Sequence, residues 1–138
     1  MKLMAIDYGD ARTGVAFSDP TGSIAGETAV LTAYTMERTL EQVCALAAEK
    51  KPGRIVVGYP KNMDGSEGPR AELCAAFADR LAETTGIETV LWDERLTTVD
   101  AHRILSETGR RGKKRKAVVD AVAASLILEG YLRSLTLQ

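Results

Sequence analysis

Hydrophobic positions along the chain change period several times. Leu3-Met4-Ala5-Ile6 is a continuous apolar run that stops at Asp7, and Thr13-Gly14-Val15-Ala16-Phe17-Ser18 is a second run after the Tyr8-Gly9-Asp10 turn, so the two predict a hairpin. A third strand is predicted from Ile24 to Leu31, rich in small and β-branched residues, although Gly26 and Glu27 interrupt it. From Met36 the spacing becomes helical, with Met36, Leu40, Val43, Cys44 and Ala47 on one face until Lys50-Lys51-Pro52-Gly53 stops it.

The second half alternates. Arg54 to Gly58 reads as a short buried strand. A helix opens at Gly68-Pro69 and packs through Leu73, Cys74, Phe77, Ala78 and Leu81 to about Gly86. Glu88 to Trp92 reads as a strand running into Asp93-Glu94-Arg95, Thr97 with Asp100 resembles a capping pair for a helix to about Glu107, and a last helix is expected from about Ala117 to Leu132. A hairpin unit followed by strand and helix in alternation predicts an α/β protein with a mixed five-stranded sheet flanked by helices. With 138 residues and no low-complexity linker, residues 1–138 are expected to form a single domain.

Composition narrows the setting. Hydrophobic residues at 45% and charged residues at 27% fit a globular chain and exclude a disordered tail. No apolar run approaches the roughly 20 residues that a bilayer requires, and the N-terminus lacks a signal-peptide layout, so a cytoplasmic protein without a membrane partner is expected. Cys44 and Cys74 are isolated in helical patterns, which offers no zinc motif.

The net charge of −1 conceals an asymmetry. Residues 110–116, Arg-Arg-Gly-Lys-Lys-Arg-Lys, carry six of the 18 basic side chains; without them 12 bases face 19 acids, a net −7. An acidic body with one basic loop predicts local capture of a polyanion, unless the run is only a solvated loop. Lys113, Lys114, Arg115 and Lys116 are the core of that candidate surface. A loop rich in Gly58, Pro60, Gly65 and Gly68 adds Lys61 and Arg70, and Arg12 lies near the first acid, where it either contacts phosphate or pairs with Asp10. Few aromatic residues are available for base stacking, so backbone and shape recognition are expected.

The acids supply the candidate chemistry. Asp7 ends the first strand, Asp93 and Glu94 end a later one, and Asp120 is expected in the first turn of the last helix among Val118, Val119, Val122, Ala123 and Ala124. Mixed sheets bind ligands at such strand ends. Clustered carboxylates repel unless a cation joins them, and an all-oxygen set suits Mg2+ or Mn2+. Two such ions can activate water and stabilise a leaving phosphodiester oxygen without a protein nucleophile. His102, the only histidine, has no acid or serine motif beside it. Taken singly, each acid also has an ordinary reading: a turn at Asp7, a pair with Arg95 for Asp93 or Glu94, a favourable helix end for Asp120.

Four blocks in order carry a resemblance: Asp7-Tyr8-Gly9 with Arg12-Thr13-Gly14-Val15-Ala16; Gly58-Tyr59-Pro60 with Asn62-Met63-Asp64-Gly65-Ser66-Glu67-Gly68-Pro69-Arg70; Asp93-Glu94-Arg95-Leu96-Thr97-Thr98; and Val119-Asp120-Ala121-Val122-Ala123-Ala124. Over nearly its whole length the chain resembles the YqgF family, Holliday-junction-resolvase-like proteins also described as pre-16S rRNA nucleases. The resemblance implies a ribonuclease H-like fold and a divalent-metal-dependent nuclease with Asp7, Glu94 and Asp120 as catalytic and metal-binding acids, Asp93 being a further contributor beside Glu94. It also implies maturation of the 5′ end of small-subunit ribosomal RNA, with RNA favoured, structured DNA as the alternative, and a pre-ribosomal particle as partner. Resolvases proper carry a further acid one helical turn after the last aspartate, where this chain has Ala123, which weighs against junction resolution.

Two other classes fit parts of the pattern. An opening strand ending in Asp-x-Gly also begins actin-like and sugar-kinase ATPases, but there is no second such block for a second lobe and no Gly-x-x-x-x-Gly-Lys-Ser/Thr loop. A non-catalytic RNA-binding assembly factor would keep the basic run and use the acids for structure.

Overall fold

The computed structural model describes residues 1–93 and 112–136, with side chains described for 1–93 and 120–135. The five strands are β1 (Leu3–Asp7), β2 (Arg12–Ser18), β3 (Ala25–Thr32), β4 (Arg54–Tyr59) and β5 (Glu88–Asp93). The described helices are α1 (Met36–Lys50), α2 (Pro69–Thr85) and α3 (Gly112–Thr136). The strands form one sheet in the order β3-β2-β1-β4-β5, antiparallel through β1, β2 and β3 and parallel from β1 to β4 and β5. This is the mixed sheet that the chain pattern predicts. The helix expected from Thr97 to Glu107 lies outside the described residues.

Alternation along the strands sorts the core into two layers. Met4, Ile6, Val15, Phe17, Ile55 and Val57 face α1 and α2, meeting Leu40, Val43, Phe77 and Leu81. Leu3, Ala5, Ala16 and Val56 face the other way, against Ala124, Ile127, Leu128 and Leu132 of α3. β1 and β4 are therefore apolar on both faces, which explains their unbroken hydrophobic runs. β3 is an edge strand with exposed Gly26 and Glu27, so residues that would weaken a central strand are tolerated there.

Helix boundaries follow local chemistry. The Thr35 side chain accepts a hydrogen bond from the Arg38 amide at 3.2 Å and caps α1, Pro69 opens α2, and Gly86 closes it with a left-handed φ of 70°.

Two expectations change at α3. The helix begins at Gly112, not near Ala117, so Lys113, Lys114, Arg115 and Lys116 lie in its first turns instead of in a loop. Lys and Arg are good helix formers, and this propensity carries the helix through a run of like charge at its positive end. Asp120 consequently sits in the third turn, not the first, which removes the favourable helix end as an explanation for an acid at that position.

Candidate active site

The C-terminal end of β1, the start of β2 and the C-terminal ends of β4 and β5 meet at one edge of the sheet. Asp7 is the last residue of β1 and pairs with Gly14 of β2. Directly paired residues share a face, so Asp7 and Gly14 both turn towards α3, as Leu3, Ala5 and Ala16 do. Gly14 is where the helix comes closest: a Cβ built on it would stand 2.0 Å from the backbone carbonyl oxygen of Asp120. Asp120 is thus seated on the strand position paired with Asp7, and two acids 113 residues apart in the sequence are brought to one place.

Asp120 is half-buried, and its carboxylate accepts a hydrogen bond from Arg12 Nε at 3.1 Å. Burial raises the Asp120 pKa above the ordinary aspartate value, and the Arg12 guanidinium opposes that rise. Arg12 therefore pairs with Asp120 and not with Asp10. Asp10 instead accepts from Arg70 Nη1 at 2.8 Å.

Arg70 is held from three sides. It pairs with Asp10, donates from Nη2 to the Tyr8 carbonyl oxygen, and lies 5.1 Å from the centre of the Tyr8 ring. That ring stacks on Phe77 of α2 with centroids 4.4 Å apart and planes 12° from parallel. Burial raises the Tyr8 pKa while Arg70 lowers it. The residues directly after Asp7 are thereby tied to α2. Gly9 completes the turn, because a Cβ there would lie 2.0 Å from the Arg12 carbonyl oxygen.

Asp93 and Lys61 belong to a neighbouring feature. Asp93 pairs with Tyr59, whose position alternates away from Val56 and Gly58, so within the sheet Asp93 occupies the face opposite Asp7. It lines an open cleft of about 270 Å³ with Tyr59, Lys61, Glu67 and Leu91. The Lys61 ammonium is 5.8 Å from the Tyr59 ring centre. A hydrogen bond to Glu67, burial and that carboxylate's charge push the Tyr59 pKa up to about 12. Glu94 lies outside the described residues, as do Arg110, Arg111 and the side chains of Lys113, Lys114, Arg115 and Lys116. Among the described residues no group of three His, Cys, Asp or Glu side chains is arranged to hold a metal ion.

The family model described as "RuvX: Holliday junction resolvase" matches residues 1–134. The chain belongs to this family. A RuvX relative from Halothermothrix orenii, named "Putative pre-16S rRNA nuclease", is 48% identical over 132 residues that cover 96% of this chain and 94% of the relative. One from Carboxydothermus hydrogenoformans with the same name is 43% identical over 132 residues, 96% of each chain. Among solved structures, RuvC of T. thermophilus in complex with a Holliday junction substrate superimposes with a TM-score of 0.63 at 14% identity, covering 99% of this chain and 97% of that one. The fowlpox virus Holliday junction resolvase gives 0.56 at 13%, covering 98% and 99%. The expected ribonuclease H-like fold is borne out, and the RuvX chain is a nuclease by family.

Sequence reasoning did not single out Gly14 or the Arg12 to Asp120 pair. A signal for the first was present: a glycine inside a strand often marks close approach of another backbone. Nothing in the sequence could reveal the second, because its partners lie 108 residues apart.

Proposed function

We propose that this RuvX protein is a cytoplasmic, divalent-metal-dependent nuclease that processes the 5′ end of pre-16S rRNA, with Asp7, Glu94 and Asp120 as its acid set. The observation that carries the reading is the contact at Gly14, which brings Asp120 beside the strand position paired with Asp7. The naming of the relatives supports the ribosomal RNA substrate. Ala123, in place of a further acid one turn after Asp120, favours an RNA strand over a four-way DNA junction.

The donor chemistry fits Mg2+ or Mn2+. Asp7 and Asp120 offer hard carboxylate oxygens on the same face, and the half-buried Asp120 already holds a cationic group, so its environment accommodates positive charge. Glu94, the residue that follows β5 in the sequence, would complete the set. When bound, such ions supply an activated water and stabilisation of the leaving oxygen.

The protein's own residues do the rest. Arg70 and Tyr8 hold the turn after Asp7, limiting where its carboxylate can reach. The close seating of α3 on β2 fixes the Asp120 backbone with no side chain between them. Lys113, Lys114, Arg115 and Lys116 begin the same helix that carries Asp120, so phosphates attracted to that end are drawn towards the acids. Lys61, at the open cleft, offers a further phosphate contact on the other side.

The deciding experiment compares cleavage of a pre-16S rRNA fragment, an unrelated single-stranded RNA and a DNA four-way junction with Mg2+ or Mn2+, by wild type, Asp7→Asn and Asp120→Asn. Metal-dependent cutting of the precursor by wild type alone supports the reading. Preferential cutting of the junction overturns the substrate, and RNA binding without cutting by any variant favours an assembly factor.

A further inference from the structure

The geometry points to Arg12 as an exchangeable counterion: it occupies Asp120 when metal is absent and passes to a substrate phosphate when a divalent ion takes the carboxylate. This rests on the metal-dependent reading above. Arg12 Nε donates to Asp120 Oδ2, so the guanidinium and a cation held by the same carboxylate would compete for its negative charge. The pair is only partly enclosed, with about a third of the Arg12 side chain and a fifth of that of Asp120 open to solvent. An ion pair this open is readily exchanged, whereas a sealed one would strand a charge.

Among the described residues, the other nearby acid is not open to Arg12. Asp10, the nearby acid that the sequence suggests as its partner, is taken by Arg70 at 2.8 Å. Arg12 is also anchored at its base, since it opens β2 and pairs with Thr32 of β3 while Ala33 N–H donates to the Ala11 carbonyl at 3.0 Å. A fixed backbone with a half-exposed planar fork at the sheet edge suits a phosphate oxygen arriving at the same acids. The exchange has a second consequence: the carboxylate is never left without a cation, which prevents the two acids from repelling each other while metal is absent.

The test uses the full chain and reads binding, not cleavage. Mn2+ affinity of the protein alone is measured by electron paramagnetic resonance for wild type, Arg12→Met and Arg12→Lys, with thermal melting as the check on folding. Arg12→Met should bind Mn2+ about tenfold more tightly, the order expected on removing one positive charge roughly 6 Å from a divalent ion in a water-like dielectric. Arg12→Lys should stay near wild type. Binding of a short single-stranded RNA to Arg12→Met should weaken, with its log–log salt slope flatter by about 0.7, the contribution of one phosphate contact.

Tighter Mn2+ together with weaker RNA binding supports the exchange. Unchanged or weaker Mn2+ binding by a folded Arg12→Met shows that Arg12 does not compete for Asp120, and unchanged RNA binding shows that it is not passed to phosphate; either result overturns the proposal. If Arg12→Met does not fold, Arg12→Gln replaces it under the same criteria. Absence of Mn2+ binding by wild type would instead sink the metal-dependent reading and this proposal with it.

Discussion

Gly14 of β2 and Asp120 of α3 touch through their backbones: a methyl group on Gly14 would stand 2.0 Å from the Asp120 carbonyl oxygen. Because Gly14 pairs with Asp7, the absence of one side chain sets the separation of two acids from opposite ends of the chain. Gly14→Ala should therefore displace α3, since neither backbone can yield locally. We expect a stability loss of about 1–3 kcal/mol, typical of overpacking, and nuclease activity reduced by more than the unfolded fraction explains. Urea titration alongside a cleavage assay at a temperature where both proteins are folded measures the two; equal activity per folded molecule would mean that helix seating does not matter to the site.

Asp7→Asn and Asp120→Asn should each lower metal-dependent cleavage by about 100-fold or more, because an amide keeps the shape but loses a charged ligand. Circular dichroism must show both variants folded. Cleavage surviving in either one would remove that residue from the acid set.

Asp120 also makes a prediction about stability and pH. Its pKa is raised in the folded protein, mainly by burial, so the folded state binds a proton more readily than the unfolded chain does. Its ionised form therefore costs stability above the folded pKa, and that cost fades as pH falls through this value. Without metal, Asp120→Asn should melt at or above the wild-type temperature at neutral pH, and the difference should shrink in acid. A variant that melts well below wild type at pH 7 and converges with it as the pH falls would show that the Arg12 pair outweighs burial.

Arg70 and Lys61 should behave differently although both begin as candidate phosphate contacts. Arg70 is committed to Asp10, the Tyr8 carbonyl and the Tyr8 ring, so Arg70→Ala should cost about 1–2 kcal/mol by loss of packing and hydrogen bonds. Arg70→Lys should not restore it, since an ammonium cannot reproduce the planar fork. Lys61→Ala should leave melting within a degree or so and weaken RNA binding in a salt-dependent way. Equal losses of stability in the two alanine variants would contradict this division.

The basic run can be neutralised without harming its helix. Alanine at Lys113, Lys114, Arg115 and Lys116 keeps or raises helix propensity. Weaker RNA binding across all sequences, with a flatter salt dependence, would then be electrostatic in origin. Filter binding from low to high salt tests this, and unchanged affinity would leave the run as a solvated helix end.

The sequence by itself determined the elements and most of their order. Periodicity alone separates the two-sided apolar runs of β1 and β4 from the helical faces of α1 and α2, and Thr35, Pro69 and Gly86 mark helix ends through chemistry local to the backbone. It also supplied the acids at Asp7 and Asp120, whose residue type and surroundings make them unusual. Where α3 begins was not legible, because like charges at a helix start oppose it while side-chain propensity favours it, and no local rule decides the balance. The partners of Arg12 and Arg70 were not legible either. Several acids lie within reach in sequence, and only the packing of α2 and α3 against opposite faces of the sheet gives Arg70 to Asp10 and Arg12 to Asp120. Local patterns specify what each segment becomes, but which charges meet depends on how closely two backbones can approach, and here a glycine in one strand sets that distance.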